Sequence, residues 1–255
     1  MSHKDCISIL IVTHNHKDFI KKLLDSLEKF EYTNVFICDA ASTDGTQHIL
    51  RDSKFNKKVI EKSKLESFSK NNNDLIRHFN LSSEYYLLLN PDLYFNEDFI
   101  IKLHNVAKSD SSFGIVAPEV HYPDGKLQIT WKKFPSVIQV FKKRVGLIST
   151  KNEIQMLDRE IDWCLGACML INKQFLKKGG SLLDERYRLY CEDVDICFEA
   201  HQRNLKVIGE KNAVVYHHLN ELSSKRIFSK YNYWNICSIF KFALKWNYKY
   251  FANKK

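Results

Sequence analysis

The chain has 255 residues, 44% of them hydrophobic and 27% charged, a balance that builds a globular core and excludes a disordered or low-complexity polymer. No run of about 18 apolar residues occurs, so no spanning helix is expected, and the opening Met1-Ser2-His3-Lys4-Asp5 lacks the apolar core of a secretory leader; the expected location is the cytoplasm. The formal charge of +9 gathers at one end, where residues 211–255 hold nine Lys or Arg against the single acid Glu221, which describes a basic appendage on a near-neutral body rather than a general nucleic-acid binder.

Ile7 to Val12 reads as a buried first strand, and Phe19, Ile20, Leu23, Leu24, Leu27 and Phe30 follow at helical spacing. Val35-Phe36-Ile37-Cys38 is a second strand ending at Asp39, before the turn and cap residues Ser42-Thr43-Asp44-Gly45-Thr46. A weaker strand near Val59-Ile60 precedes a short helix opened by Asn71-Asn72-Asn73. Tyr85-Tyr86-Leu87-Leu88-Leu89 is a buried strand that must stop at Pro91, which has no N–H for a ladder, so Asp92 is pinned just past its carboxyl end. Asn96 reads as the cap of a helix carrying Phe99, Ile100, Leu103 and Val106. This alternation predicts an α/β fold on a mostly parallel sheet.

The pattern then loosens. Tyr122-Pro123-Asp124-Gly125 looks like a turn, and residues 126–160 read as irregular and locally basic. A strand over Cys164 to Ile171, a helix from Glu192 to Arg203, and strands at Val207-Ile208 and Ala213–Tyr216 are expected next. Seven cysteines form no CxxC pair and no zinc-ribbon spacing, so reduced, buried thiols are expected. Residues 225–255 hold ten of the 33 aromatics, interleaved with Lys. Phe228, Tyr231, Trp234, Ile239, Phe242 and Trp246 fit one helical stripe, with Tyr233, Phe240, Tyr248, Tyr250 and Phe251 off it. Two readings stay open: a helix packed on the domain, or a basic amphipathic helix resting on an anionic membrane surface.

Several residues could carry chemistry. Thr13-His14-Asn15-His16 stands where a Rossmann glycine loop would be, and no Walker A sequence occurs, so a nucleotide on this sheet would be held by side chains. Asp39 and Asp92 both follow strands, at the edge where open α/β sheets bind ligands. Glu192-Asp193-Val194-Asp195 enters a helix; acids there favour the dipole, but three in four residues exceed what a cap needs, and one could be a general base. His217-His218 is either a surface pair or a source of imidazole ligand that could join Asp92 on Mn²⁺.

Taken in order, Ile9-Leu-Ile-Val-Thr-His-Asn15, Asp39-Ala-Ala-Ser-Thr-Asp-Gly-Thr46, Leu89-Asn-Pro-Asp92, Trp163-Cys-Leu-Gly-Ala-Cys-Met-Leu170, Tyr190-Cys-Glu-Asp-Val-Asp-Ile-Cys197 and Val214-Val-Tyr-His-His218 resemble the family 2 glycosyltransferases, inverting enzymes of the GT-A fold. Leu-Asn-Pro-Asp in place of Asp-x-Asp, with Lys133-Phe134-Pro135 midway, looks most like the rhamnosyltransferase branch of bacterial O-antigen and cell-wall assembly. The resemblance implies a GT-A domain over 1–220, divided into a nucleotide-sugar half (1–120) and an acceptor half (121–220), followed by a helical tail, 221–255. It implies that Thr13 and Asn15 line the nucleoside pocket, that Asp39 bonds the base or ribose, and that Asn73 lies near the donor. Asp92 would bind Mg²⁺ or Mn²⁺ on the diphosphate with Asn90 beside it, and His217 would join as a metal ligand with His218 as understudy. Gly166 and Ala167 would give backbone and room to the sugar. Asp193 would be the catalytic base, with Glu192 next to it. Among Lys225, Arg226 and Lys230, Arg226 is preferred for gripping phosphate, because a guanidinium does so bidentately.

The implied partners are a nucleotide-sugar donor, dTDP-rhamnose favoured, and a saccharide or lipid-linked saccharide acceptor, with peripheral contact to the inner membrane and no nucleic acid. Galactose, glucose, N-acetylhexosamine or galactofuranose donors are the alternatives within the fold. A nucleotidyltransferase is disfavoured because no Gly-rich basic loop opens the chain. A purely membrane- or nucleic-acid-binding module leaves the acidic strand ends without a purpose.

Overall fold

The computed structural model describes residues 4–134, 159–218 and 230–246. The chain runs β1 (Ile7–Thr13), α1 (Lys17–Lys29), β2 (Val35–Ala40), α2 (Thr46–Asp52), β3 (Lys58–Lys62), α3 (Phe68–His78), β4 (Tyr85–Leu89), β5 (Leu93–Tyr94), α4 (Phe99–Ser109) and β6 (Phe113–His121). It continues through β7 (Trp131–Lys132), β8 (Trp163–Cys164), β9 (Cys168–Asn172), α5 (Glu192–Gln202), β10 (Lys206–His217) and α6 (Lys230–Lys245). Eight strands make one sheet in the order β3-β2-β1-β4-β9-β6-β10-β5, and β7 pairs with β8 apart from it.

Side-chain alternation decides how the sheet is covered. Successive residues of a strand face opposite sides. Ile9, Ile11, Leu87 and Leu89 enter one apolar cluster with Leu23, Leu27 and Leu103 of α1 and α4. Leu10, Tyr86 and Leu88 enter the other with Leu75 and Ile76 of α3 and Ile196 of α5. Because both faces are buried, β1 and β4 are near-continuous apolar runs, interrupted in β1 by the buried Ser8. The consequence for function is that their polar residues collect at the carboxyl ends.

The sheet differs from the mostly parallel expectation at its centre. β1 is parallel to β2 and β4, but β9 runs antiparallel between β4 and β6. The segment expected as one strand over Cys164 to Ile171 is broken at Leu165-Gly166-Ala167, where the Ala167 carbonyl instead accepts the Asn90 N–H at 2.8 Å. The two strands expected near 207 and 213 are one, β10, whose register on β6 shifts between Glu210 and Val214. α3 starts before the Asn triplet, capped by Ser67, and α4 is capped by Asp98 rather than Asn96. Two-residue β5 is too short to read from periodicity; it pairs with β10, stacking Tyr94 on Tyr216 with ring centroids 5.1 Å apart. All seven cysteines are free thiols. Among the described residues no helix is long and apolar enough to cross a membrane.

Candidate functional site

The carboxyl ends of β1 and β2 form the first part of the site. Thr13 and Asp39 face each other in register at the last β1–β2 pair, both fully buried. Asp39 Oδ1 accepts from the Ser42 N–H (3.0 Å) and the Gln47 amide (2.8 Å), while its buried Oδ2 has no partner. A buried carboxylate oxygen left unpaired is costly, so this position suits a ligand that brings an N–H or O–H. Asn15, in the left-handed region at φ 58°, accepts the Thr43 N–H at 2.8 Å and donates its own N–H to Ser42. That lashes the loop after β1 to the loop after β2.

The second part lies just past β4, where the short strand β5 pairs with the end of β10 and sets Leu93 opposite His217. Asp92 is 5% and His217 3% exposed, and Asp92 Oδ1 stands 3.1 Å from His217 Nε2. The other ring nitrogen, Nδ1, is 3.0 Å from Gln128 Oε1, and the Gln128 amide donates to the His217 carbonyl at 2.8 Å. That second bond fixes the amide's orientation, so Oε1 is the acceptor and Nδ1 carries the hydrogen. Nε2 is left facing the carboxylate. Burial alone would raise the Asp92 carboxyl, but the hydrogen bond and charge of His217, with His16 behind it, hold it below the usual carboxylate range. One imidazole nitrogen and one carboxylate oxygen, 3.1 Å apart and steadied by an outer hydrogen bond, are donors of the kind that fit Mn²⁺ or Mg²⁺. Among the described residues no group of three or more His, Cys, Asp or Glu gathers for a metal, so any such ion would take its remaining ligands from water or substrate.

The third part is the amino end of α5. Tyr190 and Cys191 both adopt φ 69°, and this reversal delivers Glu192 and Asp193 into the first helical turn. Asp193 Oδ2 accepts the Gly166 N–H at 3.1 Å and Oδ1 accepts the Val194 N–H at 2.8 Å. Any Cβ at position 166 would stand 3.3 Å from Asp193 Cβ, so glycine permits this approach. Burial raises Asp193, against the pull of those N–H groups and the Lys132 charge. Glu192 is pushed up to about 8 by burial and then by Asp193. Its Oε2 is buried with no partner. Asp193 therefore holds the negative charge of the pair and Glu192 keeps its proton.

These parts are joined. The Asn90 N–H binds the Ala167 carbonyl, and the next residue back, Gly166, binds Asp193. Asp92 and Asp193 thus sit on two ends of one short hydrogen-bonded connection.

Other expected residues fall elsewhere. Asn73 is fully buried inside α3, its amide oxygen accepts the N–H groups of Leu182 and Leu183, and its nitrogen bonds Ser181, Leu183 and Glu185. These bonds fasten the 181–185 segment to α3. The His218 ring lies against Phe19 (5.1 Å) and Tyr94 (5.4 Å), and its backbone N–H reaches the Asp92 carbonyl. Asp195 is spent structurally, accepting from Tyr187, Trp246 and Lys245. Arg226 and Lys225 lie outside the described residues, as do Pro135, Phe228, Tyr248, Tyr250 and Phe251. Gln128 and His16 join the site without a clear signal in the sequence. Gln128 sits in a stretch with no periodicity, and His16 offers only its place after a buried strand.

Residues 8–180 match the family model described as Glycosyl transferase family 2. The chain is 25% identical over 262 residues to Rhamnosyltransferase WbbL of Escherichia coli (strain K12), covering 94% of this chain and 93% of that protein. It is 22% identical over 235 residues to N-acetylglucosaminyl-diphospho-decaprenol L-rhamnosyltransferase of Mycobacterium tuberculosis (strain ATCC 25618 / H37Rv), covering 84% of this chain and 76% of that one. Among solved structures, mannosyltransferase PcManGT from Pyrobaculum calidifontis, in complex with GDP-Man and Mn²⁺, superposes with a TM-score of 0.62 at 15% identity. That likeness covers 94% of this chain but 63% of the solved one, so the chain spans less than two thirds of it. At such identity the likeness is one of fold, the GT-A arrangement of a mixed sheet between helices.

Proposed function

Because the chain belongs to glycosyl transferase family 2 and is a glycosyltransferase, we propose that it is an inverting enzyme that moves a sugar from a nucleoside diphosphate to an acceptor hydroxyl, with Asp193 as general base. Rhamnose is the favoured sugar and a lipid-linked saccharide the favoured acceptor, a choice resting on what the two rhamnosyltransferase relatives are named for. The observation that carries the reading is the connection from Asp92 and His217 through Asn90, Ala167 and Gly166 to Asp193. The connection supports the reading because it keeps Asp92 and His217 in fixed relation to Asp193.

The unpaired Oδ2 of Asp39 receives a hydrogen-bond donor of the base or ribose, and Thr13 and Asn15 shape the adjoining wall. Asp92 and His217 would hold a divalent cation, Mg²⁺ or Mn²⁺, whose charge offsets that developing on the departing diphosphate. Asp193 takes the proton of the acceptor hydroxyl as that oxygen attacks the anomeric carbon from the face opposite the diphosphate. A single displacement inverts the centre, so no covalent nucleophile is needed. Glu192, which keeps its proton, adds no second charge beside the base.

The test is a panel of nucleotide sugars with Mn²⁺ or Mg²⁺, scored by release of nucleoside diphosphate. dTDP-rhamnose is expected to give the fastest turnover, and release should require the metal. Release of pyrophosphate from a sugar phosphate and a nucleoside triphosphate instead would replace this reading with nucleotidyl transfer.

A further inference from the structure

Helix α6 has two apolar faces, and only one is used. On the inner side Phe242 is 7% exposed and meets Phe198 edge-on at 5.7 Å, while Trp246 meets the same ring at 4.9 Å. Polar bonds fasten that side too: Ser238 to the Leu189 carbonyl, Lys241 to the Arg186 carbonyl, and Lys245 and Trp246 to Asp195. The helix is fixed to the segment that leads into Glu192 and Asp193.

The outer side is different. At 100° per residue, Tyr233, Ile236, Phe240 and Leu244 fall within an arc of about 80°. They are 67, 44, 67 and 80% exposed, and they make up four of the six large exposed hydrophobics among the described residues. A helix needs one apolar face to pack, so a second one left in water marks a contact surface. Charge says with what. Residues 222–255 carry eight Lys or Arg and no Asp or Glu. Two copies would bring like charges together, and Ile236 and Leu244 offer no ring for a nucleobase to stack on. Lys245 is spent on Asp184 and Asp195, but an apolar stripe on a stretch of sequence with this excess of Lys and Arg over acids matches an anionic bilayer, with the stripe among the acyl chains and basic residues at the headgroups.

We infer that the outer face of α6 seats the protein on an anionic lipid surface. The helix lies on the membrane rather than crossing it, held from behind by Phe242, Trp246 and Lys245. This also refines the two readings of the tail: the stripe of Trp234, Phe242 and Trp246 packs inward, and the residues off it, Tyr233 and Phe240, face out. The seat bears on the lipid-linked acceptor proposed above but does not rest on it, because lipid binding needs neither donor nor acceptor.

The experiment is co-sedimentation of the full chain with vesicles of phosphatidylcholine, with and without phosphatidylglycerol, for wild type and a Phe240→Ser/Leu244→Ser double variant. Both side chains are exposed, so the fold and donor hydrolysis are expected to be unchanged. The wild type should bind the phosphatidylglycerol vesicles, more weakly as salt rises, and the double variant should lose at least about tenfold in partitioning. Equal binding by both proteins, or none by the wild type, overturns the inference. So does a wild-type dimer that the double variant converts to monomer without any vesicle binding, since a second copy would then cover the face. Loss of vesicle binding with donor hydrolysis absent in both proteins would count against the proposed activity and leave the lipid seat standing.

Discussion

The two acidic centres of the site are built from the same kind of residue and tuned in opposite directions. Asp92 is buried, yet the His217 imidazole at 3.1 Å holds its carboxyl below the usual range. Glu192 and Asp193 are half-buried with each other for company, and both are pushed up, Glu192 to about 8. Burial penalises every charged carboxylate, and the neighbouring group sets the final protonation state. Beside an imidazole the carboxylate is a fixed anion, suited to a cation and a diphosphate. Beside another carboxylate, one group keeps its proton and the other becomes a base whose affinity for a proton is raised.

The largest effect separates the two centres outright. Asp193→Asn keeps an oxygen to accept the Gly166 N–H, so the connection to Asn90 should survive, but an amide cannot take a proton. Turnover is expected to fall about 10²- to 10⁴-fold, while donor affinity and Mn²⁺ affinity, measured by calorimetry, stay within a few-fold of wild type. Turnover within tenfold of wild type would move the base elsewhere.

A smaller effect probes the Asp92 centre from outside. Gln128 touches no substrate position; it orients His217 by taking Nδ1–H and giving its amide to the same residue's carbonyl. Outer partners of this kind are worth about 10- to 100-fold in metal affinity. Gln128→Ala should weaken Mn²⁺ binding by that factor, read as free Mn²⁺ by electron paramagnetic resonance, with the pH profile of Asp193 chemistry unmoved. Unchanged Mn²⁺ affinity would mean that the ring is held by its burial alone.

The legibility of fold and site in the sequence depends on the range of the interactions. β1, β2 and β4 are legible because each is a short apolar run closed by a polar residue or proline, and the strand-end positions of Asp39 and Asp92 come with them. The antiparallel β9 is not, since nothing in Cys168–Asn172 says which neighbour it will pair with; the Asn90–Ala167 bond joins residues 77 positions apart. The partners of Asn73 are hidden for the same reason. An Asn at a helix start and an Asn that fastens a distant loop look identical in sequence, and only the fold brings Leu182 and Leu183 to its oxygen. Gln128 and His217 are likewise 89 positions apart. The acidic run at 192–195 is visible as a cluster, but its division into a proton holder, a proposed base and an anchor for α6 depends on which carboxylate meets Gly166 and which meets Lys245.

The finest distinction is between Glu192 and Asp193, and pH can read it. An unfolded Glu ionises near its ordinary value of 4.5, whereas folded Glu192 keeps its proton to about 8. Between those values the native state binds more protons than the unfolded chain, so the stability contributed by protonated Glu192 is complete below 4.5 and is lost as pH rises through about 8. Glu192→Gln replaces the protonated acid with a neutral group of nearly the same shape. Urea midpoints between pH 5 and pH 8.5, roughly the window of that shift, should therefore decline less steeply in the variant. The difference in slope has a ceiling of about 1.4 kcal/mol per pH unit, and Asp193, raised in the same direction, leaves the variant some decline of its own. Turnover at neutral pH is expected to stay within a few-fold, because the residue replaced was already uncharged. Parallel slopes would mean that Glu192 is ionised in the fold, and a large loss of turnover would make it, rather than Asp193, the group that takes the acceptor's proton.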